Sequence, residues 1–283
     1  MQKKTFRRKN KKIFFSIICA TVGKKNNLRN LCKSLQKQIF KNFELIICDQ
    51  NNDNFNKTIV KKFQTLKIKF LKTKIGLSRS RNQGIKVANG SHLIFLDDDI
   101  TLKNNFLDKI YLQLIELKCD MVCYKVNDQN NKPLLNYPKF DRYLNNHHEI
   151  FNYISSVSFV IKKTKKLFFN ENIGLGSKNK YQSGEETDLI LRIFKKYKIK
   201  IYFCSSITVI HKNHPIKFLS ELKKNYSYAC GWKYVVEQRK LGIKFKLINN
   251  VKVMLNILFH ILTLNFKKAC FSFSTLLGRL NVL

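Results

Sequence analysis

Arginine is scarce in this chain: it supplies nine of the 54 basic residues, and lysine supplies the rest. Readers of specific nucleic-acid sequence rely on the bidentate arginine fork for base contacts, so this shortage argues against that class. Acidic residues are few as well, 18 in all, which leaves a formal net charge of +36. A charge of that size attracts polyanions such as nucleic acid, anionic lipid or phosphorylated substrates. Only three Pro and four Ala stand beside abundant Asn, so part of the lysine excess reads as a general residue bias. A basic belt facing an anionic membrane is the favoured reading of the remainder. Paired cysteine motifs are missing: the eight Cys include no CxxC, and Cys119 and Cys123 have no nearby His. They read as buried free thiols in a reducing compartment. No internal repeats occur.

Long uninterrupted apolar runs are also lacking. The segment 247–264 comes nearest, but Asn249, Asn250, Lys252, Asn256 and His260 break it, which argues against a full membrane span. Flanked by Lys244, Lys246, Lys267 and Lys268, it suits an amphipathic helix lying in a membrane interface. Packing on the main domain or on a second subunit is the alternative, which leaves a homo-oligomer open. Residues 13–20 follow a basic stretch over 1–12 and have signal-peptide character. They lead directly into strand–turn–helix patterning, so they read as the first core strand, and the chain is expected in the cytoplasm.

What is present is an apolar fraction of 44% with 23 Phe, enough for one sizeable domain plus an appendage. Short apolar runs at 13–20, 43–48, 67–71, 92–96 and 121–126 predict strands. Helical patterns at 26–38, 77–88 and 106–117 separate them. The first of these carries Leu28, Leu31, Leu35 and Ile39 on one face, and the second is closed by Asn89-Gly90. Continuous apolar strands alternating with helices predict a parallel sheet covered on both faces, with ligands beyond the carboxyl ends of its strands. Thr21, Asp49 and Asp97-Asp98-Asp99 all fall at such ends. Residues 127–152 read as loop, and 154–161 as a strand returning to the sheet. Gly184-Glu185-Glu186-Thr187-Asp188 opens a helix over 189–196, and 199–210 is a strand ending at His211. A long helix with Tyr226, Tyr228, Trp232 and Tyr234 covers 219–239.

The acid triplet is the sharpest signal. Three adjacent carboxylates at the end of a buried strand repel one another unless a cation neutralises them. Oxygen ligands suit a hard divalent ion of the kind that serves phosphates. Three further carboxylates crowd the first turn around Glu185, Glu186 and Asp188, more than helix capping requires. Asp188 is expected to cap that helix or to pair with Arg192.

Ordered along the chain, Ser16-Ile-Ile-Cys-Ala-Thr-Val-Gly-Lys24, Phe43-Glu-Leu-Ile-Ile-Cys-Asp-Gln50, Gly76-Leu-Ser-Arg-Ser-Arg-Asn-Gln-Gly84, Phe95-Leu-Asp-Asp-Asp99 and Gly184-Glu-Glu-Thr-Asp-Leu-Ile-Leu-Arg192 resemble the motifs of a family 2 glycosyltransferase. The resemblance covers about residues 13–211. It implies a GT-A fold, a mixed α/β sheet flanked by helices, over 13–214, with a helical C-terminal appendage over 215–283. It further implies a metal-dependent, inverting transfer of sugar from a nucleotide-diphosphate donor. Ala20, Thr21, Val22, Asp49, Gly76, Arg79, Asp97 and Asp98 are the implied donor-binding residues. Asp99, Asp97 and His211 are the implied ligands for Mg²⁺ or Mn²⁺. The family's usual Glu-Asp is Glu185-Glu186 here, so Glu186 replaces the aspartate base by register, and Glu185 is the alternative. The expected acceptor is a glycan or a lipid-linked one in bacterial surface-polysaccharide or lipopolysaccharide synthesis, reached from the inner face of the membrane by peripheral contact. Two other readings stand beside it: a nucleotidyltransferase of related sheet topology, for which Thr21-Val-Gly-Lys-Lys is a faint phosphate loop, and a basic binding protein for nucleic acid or acidic lipid.

Overall fold

The computed structural model describes residues 12–23, 25–212 and 216–282. The basic N-terminal stretch up to residue 11, Lys24 of the first turn, and His214 lie outside them. One nine-stranded sheet organises the chain in the order β3-β2-β1-β4-β8-β6-β9-β5, with β7 pairing β9. Its first half is wound from β1 (Phe15–Thr21), α1 (Lys25–Gln36), β2 (Phe43–Asp49), α2 (Phe55–Val60), β3 (Ile68–Lys72), α3 (Leu77–Val87) and β4 (His92–Asp97). These four strands are parallel. All seven residues of β1 and all seven of β2 are buried, so each strand sheds its apolar side chains on both faces of the sheet. Burying one Ile or Leu contributes about 1.5–3 kcal/mol, which fixes these strands at the centre.

The second half holds β5 (Ile100–Thr101), α4 (Phe106–Leu117), β6 (Met121–Asn127), β7 (Arg142–Leu144), α5 (His147–Tyr153), β8 (Phe159–Lys162), α6 (Glu185–Tyr197) and β9 (Ile201–His211). The sheet is mixed, as the family resemblance implies and unlike the all-parallel sheet that the alternation predicts, because β8 runs antiparallel to both β4 and β6. The returning strand is shorter than the 154–161 expected: Ile154 is buried but caps the end of α5, and Val157 is buried in the turn that precedes β8. The segment read as loop contains β7 and α5. Its polar sequence hid them, since α5 is short and is started by the Asn146 side chain accepting from the Glu149 N–H at 3.0 Å. Leu28, Leu31 and Leu35 face the core as expected. Ile39 lies past the end of α1 and is 63% exposed.

Three helices follow: α7 (Phe218–Gln238), α8 (Ile243–Leu262) and α9 (Phe266–Leu280). α9 had no counterpart in the sequence reading. Its close approach to α7 needs Gly278, where a Cβ would stand 2.3 Å from the Tyr226 carbonyl oxygen. Trp232 is a packing residue: it stacks on Phe245 and carries the Arg279 guanidinium 4.1 Å above its ring. Among the described residues every cysteine is free; seven are buried and Cys270 is exposed.

Candidate active site

The parallel register brings the strand ends together. Thr21 lies opposite Asp49, and Ala20 opposite Asp97. Thr21 is buried, donates its hydroxyl to Asp98, and accepts the Gly23 N–H at 3.0 Å. Ala20 is buried in the sheet, while Val22, just past the end of β1, is 65% exposed.

β5 determines where the candidate metal ligands stand. It pairs antiparallel with the end of β9, setting Ile100 opposite His211. His211 Nε2 is 3.5 Å from Asp99 Oδ1. One ligand atom each from Asp97, Asp99 and His211 lie within 4.8 Å of one another. Two carboxylates and an imidazole, partly open to solvent, match the donor preferences of Mn²⁺ or Mg²⁺. His211 Nδ1 is buried without a hydrogen-bond partner among the described residues.

Beside this cluster stands a residue that the sequence reading passed over. Arg81 is fully buried, and its guanidinium holds three carboxylates: Asp97 at 3.2 Å, Glu186 in a hydrogen bond, and Glu185 at 3.8 Å. It also donates to Ser156 Oγ at 3.0 Å and lies against Phe95 and Phe169. Burial opposes its charge, but Glu186, Asp97 and Glu185 outweigh that and keep it protonated. Burial raises the Asp97 carboxyl against the pull of Arg81. Burial and the adjacent Glu186 push Glu185 well above the usual carboxylate range. Glu185 is seated beneath Gly174, where a Cβ would come within 2.9 Å of its carboxyl carbon. The signal for Arg81 was legible: Ser78, Arg81, Ile85 and Ala88 share one helical face, and all four are buried. Arg79, two positions away, points elsewhere.

Arg79 pairs with Glu171 at 3.2 Å and lines a cavity of about 810 Å³ together with Gln50, Asn51, Lys72, Gly176 and Ser177. Asp49 lies behind that wall, fully buried. It accepts from Asn51 Nδ2 at 2.7 Å, Asn56 at 2.9 Å and Lys72 at 2.7 Å. Burial raises its carboxyl, but those donors prevail and hold it below the ordinary range. Gly76 adopts φ 131° as it enters α3 and donates its N–H to Gln50 Oε1 at 2.7 Å, tying the cavity's two sides together. Asp49 and Arg79 thus sit on the cavity side of the strand ends, and Asp97, Asp99, His211, Glu185 and Glu186 form the cluster next to it.

α7 closes the cluster. Ser183 Oγ donates to the Tyr228 carbonyl at 2.8 Å, and a Cβ on Gly231 would stand 2.3 Å from the Ser183 carbonyl oxygen. The Tyr228 phenol is pushed up by burial and then by Glu185, Glu186 and Asp97. Asp188 accepts from Arg239, the residue that caps the C-terminus of α7, at 2.7 Å instead of pairing with Arg192. Arg192 packs its guanidinium 4.0 Å over the Phe168 ring. The α6 start is therefore locked to α7 by a charged pair that sequence distance concealed.

This fold has a known counterpart. The chain belongs to glycosyl transferase family 2, whose model matches residues 16–174, more than half of its length. It is 32% identical over 100 residues to a GalNAc(5)-diNAcBac-PP-undecaprenol beta-1,3-glucosyltransferase of Campylobacter jejuni, covering 34% of this chain and 32% of that protein. It is 30% identical over 102 residues to the Escherichia coli UDP-Glc:alpha-D-GlcNAc-diphosphoundecaprenol beta-1,3-glucosyltransferase WfgD, covering 35% of this chain and 40% of that one. The chain thus spans well under half the length of these curated relatives. In three dimensions it resembles S. aureus TarS in complex with UDP-GlcNAc, with TM-score 0.60 at 17% identity over 95% of this chain and 91% of that one.

Proposed function

We propose that this chain transfers a sugar from a nucleotide-diphosphate donor to a glycan or lipid-linked acceptor, with inversion, at the inner face of a bacterial membrane in surface-polysaccharide or lipopolysaccharide synthesis. The observation that carries the reading is the convergence of Asp97, Asp99 and His211 within ligand distance of one another, with Arg81 joining Asp97 to Glu186. A basic binding protein has no use for such a buried set of carboxylates. Family membership and the strand-end cavity support the donor class. The relatives' lipid-linked substrates support the acceptor class.

The donor diphosphate belongs beside Asp99, and its base end belongs in the cavity bounded by Gln50, Asn51 and Lys72. Asp49 accepts from a pyrimidine edge once the Asn51 amide yields its place. Arg79 exchanges Glu171 for phosphate oxygens. Asp97, Asp99 and His211 would hold a Mg²⁺ or Mn²⁺ ion, which supplies electrostatic stabilisation for the departing diphosphate. The acceptor hydroxyl attacks the anomeric carbon, and its O–H proton passes to the Glu186 carboxylate. The bond from the anomeric carbon to the diphosphate oxygen breaks, and the electron pair leaves with the nucleoside diphosphate. One displacement inverts the anomeric centre. Glu186 suits the base role because it stands in the register of the family's aspartate and is hydrogen-bonded to the Arg81 guanidinium that also holds Asp97. Glu185 is biased toward its neutral form.

The test is hydrolysis of UDP-, GDP- and dTDP-sugars by the purified chain with Mn²⁺. Turnover of at least one, abolished by chelator and by Asp99→Ala with the fold intact, is expected. Turnover unchanged in Asp99→Ala would remove the metal assignment.

A further inference from the structure

The α8–α9 hairpin presents its apolar residues outward, the reverse of what a soluble helix does. On α8 the exposed side chains Leu247, Val251, Met254, Leu258 and Leu262 recur at helical spacing along one stripe. The opposite face packs inward through Phe245 and Val253. At the turn joining the helices the exposure peaks: Leu262 is 73%, Leu264 75% and Phe266 61% exposed. Lys267 and Lys268 follow at once, both exposed. Beyond Glu237 the sequence contains no Asp or Glu, but it holds Arg239, Lys240, Lys244, Lys246, Lys252, Lys267, Lys268 and Arg279.

We propose that this hairpin is a docking surface for an anionic bilayer, with the stripe and the Leu262–Leu264–Phe266 tip seated at the acyl boundary and the lysines at the headgroups. Charge selects this occupant. A second copy would bring an equally basic, acid-free face against this one, whereas anionic headgroups complement it. Among the described residues α8 is the one helix long and apolar enough to span a membrane, with a mean hydropathy of 1.3. Asn249 and Arg279 argue for lying in the interface instead, because they tie α8 to α9 through a 2.6 Å hydrogen bond from Arg279 Nη1 to the Asn249 carbonyl. α9 in turn packs on α7, which covers Glu185 and Glu186. The docked hairpin therefore sets the catalytic cleft at a defined height above the lipid, where a lipid-linked acceptor presents its sugar. Its biological use rests on the transfer reading, but bilayer binding does not.

The experiment is co-sedimentation of the full chain with phosphatidylglycerol-containing vesicles and with pure phosphatidylcholine vesicles. Partition into the anionic vesicles should exceed that into the neutral ones by about tenfold or more and should weaken as salt is raised. Leu262→Glu/Phe266→Glu and Lys267→Glu/Lys268→Glu, each checked for native circular dichroism, should each lower partition by about tenfold or more, with donor hydrolysis unchanged. Failure to bind either vesicle would overturn the proposal, as would binding unaltered in both variants. So would a dimer of the wild type that Leu262→Glu/Phe266→Glu converts to monomer. A chain that binds vesicles yet turns over no donor would sink the enzymatic reading and leave this one standing.

Discussion

Arg81 carries more of the site than any other single residue, because one buried guanidinium serves Asp97, Glu186 and Glu185 together. Removing it leaves buried carboxylates without their counter-charge, so Arg81→Met should lower unfolding stability by about 3–5 kcal/mol, read by denaturant titration. Arg81→Lys keeps the charge but loses the fork, and an intermediate loss is expected. Glu186→Gln should fold normally and lower turnover by about 10²-fold or more, while Glu185→Gln costs less. A reversal of that order would assign the base to Glu185. Both glutamates were legible in the sequence by motif register. Arg81 was legible only by its helical face. Asp49's enclosure by Lys72 and Asn56 was not legible, because those partners come from separate elements. His92 supplies a pH test. Burial, followed by the nearby Lys162, lowers its imidazole from 6.5 to about 4. The folded chain then binds fewer protons than the unfolded one between these values, so stability falls as pH drops through that window. Thermal midpoints measured across it should decline for wild type and flatten in His92→Phe.

At the scale of elements, the strands up to β4 were read nearly to their boundaries, since each is an apolar run framed by turns, whereas the six-residue α2 was too short to show a helical period. The second half was harder. β8 spans four residues and β7 three, too short for periodicity to emerge, and β5 is defined only by its partner β9. Yet β5 is what brings His211 to Asp99. The packing of α7 on the α6 start is equally invisible in sequence and rests on Gly231. A Cβ there would meet backbone, not a flexible side chain. Gly231→Ala should therefore cost about 1–3 kcal/mol and should reduce the transfer rate more than donor affinity, since it displaces Glu185 and Glu186 and leaves the cavity side untouched. Equal loss of both would show that α7 bears on the whole cleft.

For the whole molecule, a charge of +36 favours phosphorylated donors and anionic surfaces alike, and association with either should weaken with salt. The central claim concerns the strand-end carboxylates, and calorimetric titration of UDP-, GDP- and dTDP-sugars tests it most directly, with and without Mn²⁺, on wild type and Asp99→Ala. At least one donor should bind wild type only with the ion present, and that heat should vanish in the variant. Binding that ignores both the ion and the loss of Asp99 would contradict the account.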